Sequence, residues 1–419
     1  MIRKILIPIL LAAATLAAPA RAAEPVLRVV ALDMEGGGGT LYVTPEGKSL
    51  LIDAGSGPPR DGGPFGRDGS RSGVDRIVSA ARSLGLKKID YLIVTHYHAD
   101  HIGGVFDLMK AIPIGTFIDH GPNQDKPFPD EAPDSHSNQM VRDSAVNYAK
   151  YLAAIKGHPH IEARPGQVLH FGSLTATIVA SAGKIIDRPL PGAGGKGQFC
   201  DTPPMVADGG YENGMSVASV LTYGKVRIAA FGDLVWNREH ELACPIDKVG
   251  HVQILIVTHH GVALSSNPSS IAALRPDIAV MGNSAKKGAV PATVNTISHS
   301  PGLQAFWKVH ASTVDPDLNG DPRYIANLDP SPDHGDTIRL NITKTGHVTV
   351  TNSRNGFSQS YDVKEGARGS TTSSSNRPGC PTRLYPGRRG PHRPRTKPRR
   401  RRRCRRWSNP RGGEPAFRR

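Results

Sequence analysis

After its first 23 residues this 419-residue chain has no apolar run long enough to cross a bilayer, which leaves no candidate membrane-spanning helix in the remainder. Cysteine is scarce. The chain has four, none in a Cys-x-x-Cys pair, so a thiolate zinc site of the finger type has no starting point. Acidic residues nearly vanish at one end. From Arg368 to Arg419 there are 18 Lys and Arg against a single acid, Glu414, a net of +17. The whole chain carries +16, so everything before Arg368 sums to −1 and does not itself call for a polyanionic partner. No internal repeat of short fixed period is present.

Three spans differ in composition. Residues 1–23 place Arg3 and Lys4 before an apolar run, Ile5 to Ala18, and end on Ala20-Arg21-Ala22, a small-x-small cleavage site. This is the pattern of a secretory signal peptide, and it predicts a secreted or periplasmic protein. Residues 24–365 hold the alternating and helical patterns of one large folded domain. Residues 366–419 are rich in Arg, Pro, Gly and Ser with almost no aliphatic pattern, a composition that cannot bury enough apolar surface to offset ordering entropy. That tail reads either as a basic arm for nucleic acid or as a solvated extension without an evolved role.

The densest chemistry lies in Thr95-His96-Tyr97-His98-Ala99-Asp100-His101-Ile102-Gly103-Gly104. Four metal-competent side chains fall within six positions, directly after Ile89–Val94, an apolar run that predicts a buried strand. Imidazoles and a carboxylate suit zinc or a similar divalent ion. His96 and His98, two apart in a strand-end loop, converge on one ion; Asp100 and His101 turn to a second position beside it. A polar loop that merely contains three histidines is the alternative, and it leaves their desolvation cost without a ligand to offset it.

Strands are predicted at Val26–Leu32, Thr40–Thr44 and Ser49–Ile52, with four glycines (Gly36–Gly39) between the first two that permit close approach of backbone. A helix follows over Gly73–Leu84, then the strand before the histidine motif. This order predicts an α/β layered domain. Further helices are expected at 105–112 and 145–155 and around 271–274, with a polar loop over 123–142. Strands are expected at 114–118, 167–171, 174–182, 216–222, 225–231, 252–257 and 278–281, and a closing hairpin ends the domain near Val363. His120 stands at a strand end, either lining the site or serving as an ordinary polar terminus. Residues 185–210 form an irregular Gly/Pro-rich stretch, a candidate lid. In an oxidising compartment Cys200 and Cys244 are expected to pair.

Three more metal-competent positions close predicted strands: Asp53, Asp233 and the pair His259-His260. Open α/β folds place ligands at such strand ends. Asp233 can bridge two cations through its carboxylate, with one of His259 and His260 supplying a nitrogen. Such a centre ionises a metal-bound water near neutral pH to attack an electrophile.

The His-x-His-x-Asp-His pattern, Leu51-Ile52-Asp53-Ala54-Gly55, Phe231-Gly232-Asp233-Leu234 and Thr258-His259-His260-Gly261 resemble the successive motifs of the metallo-β-lactamase superfamily. The resemblance implies a four-layer αββα sandwich and a metal-dependent hydrolase with one or two divalent ions, zinc first and Mn or Mg open. It assigns His96 and His98 to the first metal and Asp100, His101 and His260 to the second. Asp233 bridges them, Asp53 orients ligands from behind, and Asp100 doubles as proton acceptor. More narrowly, Leu32-Asp33-Met34-Glu35-Gly36-Gly37, the Leu51 to Gly55 strand end, Glu212-Asn213-Gly214-Met215-Ser216 and His259-His260-Gly261 resemble the extracellular hydrolase-like domain of the ComEC-type competence proteins, which implies a phosphodiester substrate such as DNA. Two positions depart from these patterns. The third first-metal histidine of the wider family is replaced by Glu212-Asn213, so that Asn213 through its amide oxygen, or Glu212, stands in. A Gly-His-Pro segment of the competence domain is replaced by Asn283–Pro291, where Lys286 and Lys287 are candidates to meet an anionic substrate. A lactonase or β-lactamase, and a non-catalytic metal-containing binding protein, are the competing readings.

Overall fold

The computed structural model describes residues 24–57, 73–205, 212–329 and 334–363. The segments expected to be a signal peptide (1–23) and a basic tail (366–419) lie outside the described residues, as do residues 58–72, 206–211 and 330–333. No helix among the described residues is long and apolar enough to cross a membrane.

Two mixed sheets face each other. The first runs, edge to edge, through Ser358–Asp362, His347–Asn352, Ile338–Thr343, Val26–Ala31, Thr40–Val43, Ser49–Ile52, Ile89–Ile93, Ile114–Asp119 and His160–Glu162. The second runs through Ile325–Asn327, Ala305–His310, Ile278–Met281, Ile254–Ile256, Val226–Ala230, Ala218–Tyr223, Leu174–Ser181 and Val168–Phe171, with the short Lys184–Ile185 paired to Leu174–Ser181. Each sheet is antiparallel in one part and parallel in the other. The parallel parts are Ser49–Ile52 to His160–Glu162 and Val226–Ala230 to Ile325–Asn327.

Side-chain alternation explains the layers. In Val26–Ala31 the residues Leu27, Val29 and Ala31 point to the space between the sheets, while Val30 joins a separate cluster under the helices Gly73–Ser83, Val105–Ala111 and His136–Ile155. In the second sheet Val226, Ile228 and Ala230 face inward. Ala229 and Phe231 face outward, beneath the helices Trp236–Ala243, Pro268–Leu274 and Pro291–Ser298. Three cores thus separate four layers, helix, sheet, sheet, helix, as the expected αββα sandwich requires. Trp307 and Tyr223, both fully buried, fill the central core.

Some elements differ from expectation. The helix expected at 145–155 begins at His136, because Ser135 caps it by accepting the Asn138 amide at 3.2 Å. Its first turns are largely polar and carry little apolar period, so the loop expected over 123–142 absorbed them. Trp236–Ala243, Pro291–Ser298, Ala305–His310 and Ile325–Asn327 were not expected. The Cys200–Cys244 disulfide forms. The Gly/Pro-rich stretch before it is strapped along the chain that follows Trp236–Ala243, through Leu190 N to Lys248 O (2.8 Å), Gly194 N to Asp247 O (2.8 Å) and Gly197 N to Pro245 O (2.9 Å).

Candidate metal centre

The site stands where the parallel strands of both sheets end. Ser49–Ile52 delivers Asp53, Ile89–Ile93 delivers the loop from Thr95 to His101, and Val226–Ala230 delivers Asp233. Ile254–Ile256 delivers His259 and His260, and Ile278–Met281 delivers the loop to Lys287. One half of the donor set therefore belongs to each sheet.

Asp100, His101, Asp233 and His260 come together with one ligand atom each, all within 4.8 Å of one another. His101 Nε2 lies 3.1 Å from Asp233 Oδ2 and 3.1 Å from His260 Nε2. His260 Nε2 lies 3.4 Å from both Asp100 Oδ2 and Asp233 Oδ2. The rear nitrogens are held: His101 Nδ1 pairs with Asp53 Oδ2 at 2.7 Å, and His260 Nδ1 lies 3.2 Å from the Gly282 carbonyl. An imidazole that donates from Nδ1 to an oxygen behind it presents an Nε2 lone pair in front, the tautomer a metal ligand needs. Asp53 is itself fixed by the Thr95 amide (2.7 Å) and hydroxyl (2.8 Å). The donors therefore fit a divalent ion by their chemistry, and the oxygen behind each of the two rings favours an Nε2 lone pair toward a bound ion.

Beside this group, His96 Nε2 and His98 Nδ1 face each other at 3.1 Å. His98 Nε2 looks away to Asp125 Oδ2 at 3.6 Å. Two nitrogens are thus offered at the first position. Asn213 is buried at the start of a short 3-10 turn, Asn213–Met215, one residue beyond Glu212. Glu212 itself is committed elsewhere. Its Oε1 accepts the Tyr97 amide (3.1 Å) and lies 2.8 Å from His120 Nε2, while its Oε2 accepts the Gln124 amide (3.2 Å). Both oxygens of Glu212 are thus engaged in bracing the loop, together with His120.

Charge in the cluster is interdependent. Burial opposes ionisation of Asp100, but the Lys287 ammonium, His101 and His260 outweigh it and hold the carboxyl well below the usual range. Asp233 behaves alike: burial opposes its charge, and His101, His259 and His260 overcome it. Burial disfavours protonation of His101, yet Asp233, Asp53 and Asp100 raise it well above the ordinary imidazole value. His96 goes the opposite way, pushed well down by burial and by the neighbouring His101 and His98. His259, driven down to about 4 by burial, lies 3.3 Å from Asp233 Oδ2 with its Nδ1 3.1 Å from the Ser265 hydroxyl. Both His259 and His260 have φ of 55°, left-handed backbone that a non-glycine residue adopts at a cost.

Two features of the sequence take their meaning only here. The glycine run lies against the centre: a Cβ on Gly38 would sit 2.5 Å from His101 Nδ1 and 2.7 Å from Asp53 Oδ2, and one on Gly37 2.4 Å from the Asp100 carbonyl. Four glycines in a row were the available signal. Of the two lysines, Lys287 reaches Asp100 Oδ2 at 2.5 Å, while Lys286 is exposed. A second trio, Asp33, Glu35 and His310, also brings its ligand atoms together, but a cation is already there. Arg76 Nη1 pairs with Asp33 Oδ1 at 2.9 Å, and His310 Nε2 lies 2.7 Å from the same oxygen.

Residues 35–188 match the family model described as metallo-β-lactamase superfamily. The match takes in Asp53 and His96–His101 and ends before Asp233 and His260. With the layered architecture, it supports that superfamily and identifies the fold as the metallo-β-lactamase fold. A lactamase-like protein of Pestalotiopsis microspora is 32% identical over 77 residues, 18% of this chain and 20% of that protein. The chain thus matches about a fifth of that curated relative's length. Among solved structures, the metallo-β-lactamase fold protein YhfI of Bacillus subtilis is 13% identical, covering 68% of this chain and 96% of that one, with a TM-score of 0.38. CmlA, a diiron β-hydroxylase of Streptomyces venezuelae, is 12% identical, covering 68% and 52%, with a TM-score of 0.34.

Proposed function

We propose that this chain of metallo-β-lactamase fold is an exported metal-dependent hydrolase acting on a phosphodiester or a related ester. The observation that carries the reading is the convergence of Asp100, His101, Asp233 and His260 from both sheets, with His101 and His260 each braced from behind. In this reading Asp100, His101, Asp233 and His260 would hold one ion, and His96 Nε2 and His98 Nδ1, with Asn213 as a further candidate, would hold a second. Zinc suits this donor set best, with manganese or magnesium as alternatives. When bound, such ions supply Lewis acidity and ionise water near neutral pH.

The protein's own groups do the rest. Asp53 would keep the His101 ring in place and Lys287 would offer a positive group to an oxyanionic substrate, while Asp100, its carboxyl held low by Lys287, His101 and His260, suits the ligand role better than that of the proton acceptor the resemblance implies. Lys286, on the same loop, is the outer candidate for such a contact. The phosphodiester class is supported by the competence-like motifs and by that lysine. Export is supported by the signal-like first 23 residues and by the disulfide, which persists in oxidising compartments.

A non-catalytic metal-containing binding protein is the second reading, favoured by the absence of a third histidine at Asn213. Turnover separates the two. The purified protein is expected to retain divalent metal after dialysis and to hydrolyse bis(p-nitrophenyl) phosphate. Asp233→Asn should lower the rate by at least about a hundredfold, the scale on which removed electrostatic groups act. Full metal retention with no turnover of phosphodiesters, lactones or nitrocefin would leave the binding protein standing instead.

A further inference from the structure

We propose that Lys287 is a built-in competitor of the second metal ion, making occupancy of the Asp100–His101–Asp233–His260 position weaker and more exchangeable than it would otherwise be. The inference rests on the metal-centre reading above. One carboxylate oxygen carries it. Asp100 Oδ2 is approached by the Lys287 ammonium at 2.5 Å, by His260 Nε2 at 3.4 Å and by His101 Nε2 at 3.6 Å. An ion held by those two imidazoles and Asp100 must compete with the ammonium for that oxygen, either by sitting beside a like charge or by breaking its ion pair with Asp100, and each costs binding free energy.

The lysine is positioned rather than merely nearby. The Ser284 hydroxyl accepts the Lys286 amide (3.2 Å) and the Lys287 amide (2.9 Å), and the Ser284 amide donates to the Lys287 carbonyl (2.9 Å). Asn283 Nδ2 fastens the loop to the His310 carbonyl at 2.8 Å. From the other side the glycine run closes on it: a Cβ on Gly36 would stand 3.3 Å from Lys287 Cβ. Gly288, with φ of +82°, lets the chain pass so close to His260 that a Cβ there would be 1.9 Å from its carbonyl oxygen. The loop bearing the lysine is thus packed against the residue bearing a metal-facing nitrogen. When a metal claims Asp100, the displaced ammonium is left at the mouth of the site for an anionic group, so substrate and second ion become linked through one side chain.

Calorimetric titration of the full-length protein, stripped of metal with a chelator that is then removed, with Zn²⁺ and then Mn²⁺ tests this, in wild type, Lys287→Met, Lys287→Gln and Lys287→Arg. The neutral variants should bind the weaker ion about tenfold or more tightly, with the tighter ion unchanged, while Lys287→Arg stays close to wild type. Weaker or unaltered binding in both Met and Gln variants would overturn the proposal and make the lysine a support for Asp100. If wild type takes up no divalent ion, the metal-centre reading fails as well, so the two failures are distinct.

Discussion

At Gly38 the site tolerates no side chain, and the reason is a single hydrogen bond. The His101–Asp53 contact of 2.7 Å lies where an alanine methyl would go. Gly38→Ala is therefore expected to push the pair apart and to weaken the ion facing His101 by about 10–100-fold, the usual consequence of losing a ligand's rear partner. Competition against a fluorescent chelator measures it, and Asp53→Asn should fall in the same range. Elsewhere a buried acid sets a pH dependence. Glu239 is wholly buried, with Oε2 accepting the Asn267 amide at 2.8 Å, and burial pushes its carboxyl up from 4.5 to about 8. The native state holds this proton more tightly than the unfolded chain does. Stability from this group should be greatest below about pH 4.5, fall as pH rises to about 8, and level off above. Urea denaturation of Glu239→Gln across that window should show a flatter decline than wild type.

At the scale of elements, the strap before Cys200 depends on few anchors. It follows Trp236–Ala243 and the next turn by backbone hydrogen bonds and one disulfide, and Trp236 Nε1 donates to the Pro203 carbonyl at 3.2 Å. Replacing both Cys200 and Cys244 by Ser should lower stability by about 2–4 kcal/mol. Limited proteolysis should then cut within 186–205 before any strand. The inner strands were legible as short apolar runs, because a core covers one face and helices the other, while the hairpin Ile338–Thr343 and His347–Asn352 was legible by its alternation. The helix Trp236–Ala243 was not, since the acid Glu239 stands on its buried face beside Leu242 and Ala243 and a conspicuous Asp233 precedes it. Lys287 and Lys286 are indistinguishable as neighbours in sequence; only the Ser284 turn decides which one reaches Asp100.

For the whole molecule, the sequence located the donor loops but not the bracing behind them. His96, His98, Asp100 and His101 announce themselves by density, and Asp233 and His260 by strand ends. Nothing local indicates that both oxygens of Glu212 are taken by Tyr97, His120 and Gln124, because those partners lie between 88 and 115 residues away in the chain.

The division of donors between the sheets has a thermodynamic consequence. Asp100 and His101 belong to one sheet, Asp233 and His260 to the other, so an ion seated among them is a crosslink between the two halves that the unfolded chain cannot offer. Folding and metal uptake then become one coupled equilibrium. Each tenfold rise in free metal above saturation should add about 1.4 kcal/mol to the unfolding free energy, and a chelator should remove it. A melting temperature that climbs with the logarithm of metal concentration would make the stability curve itself a titration of the site, readable without any substrate.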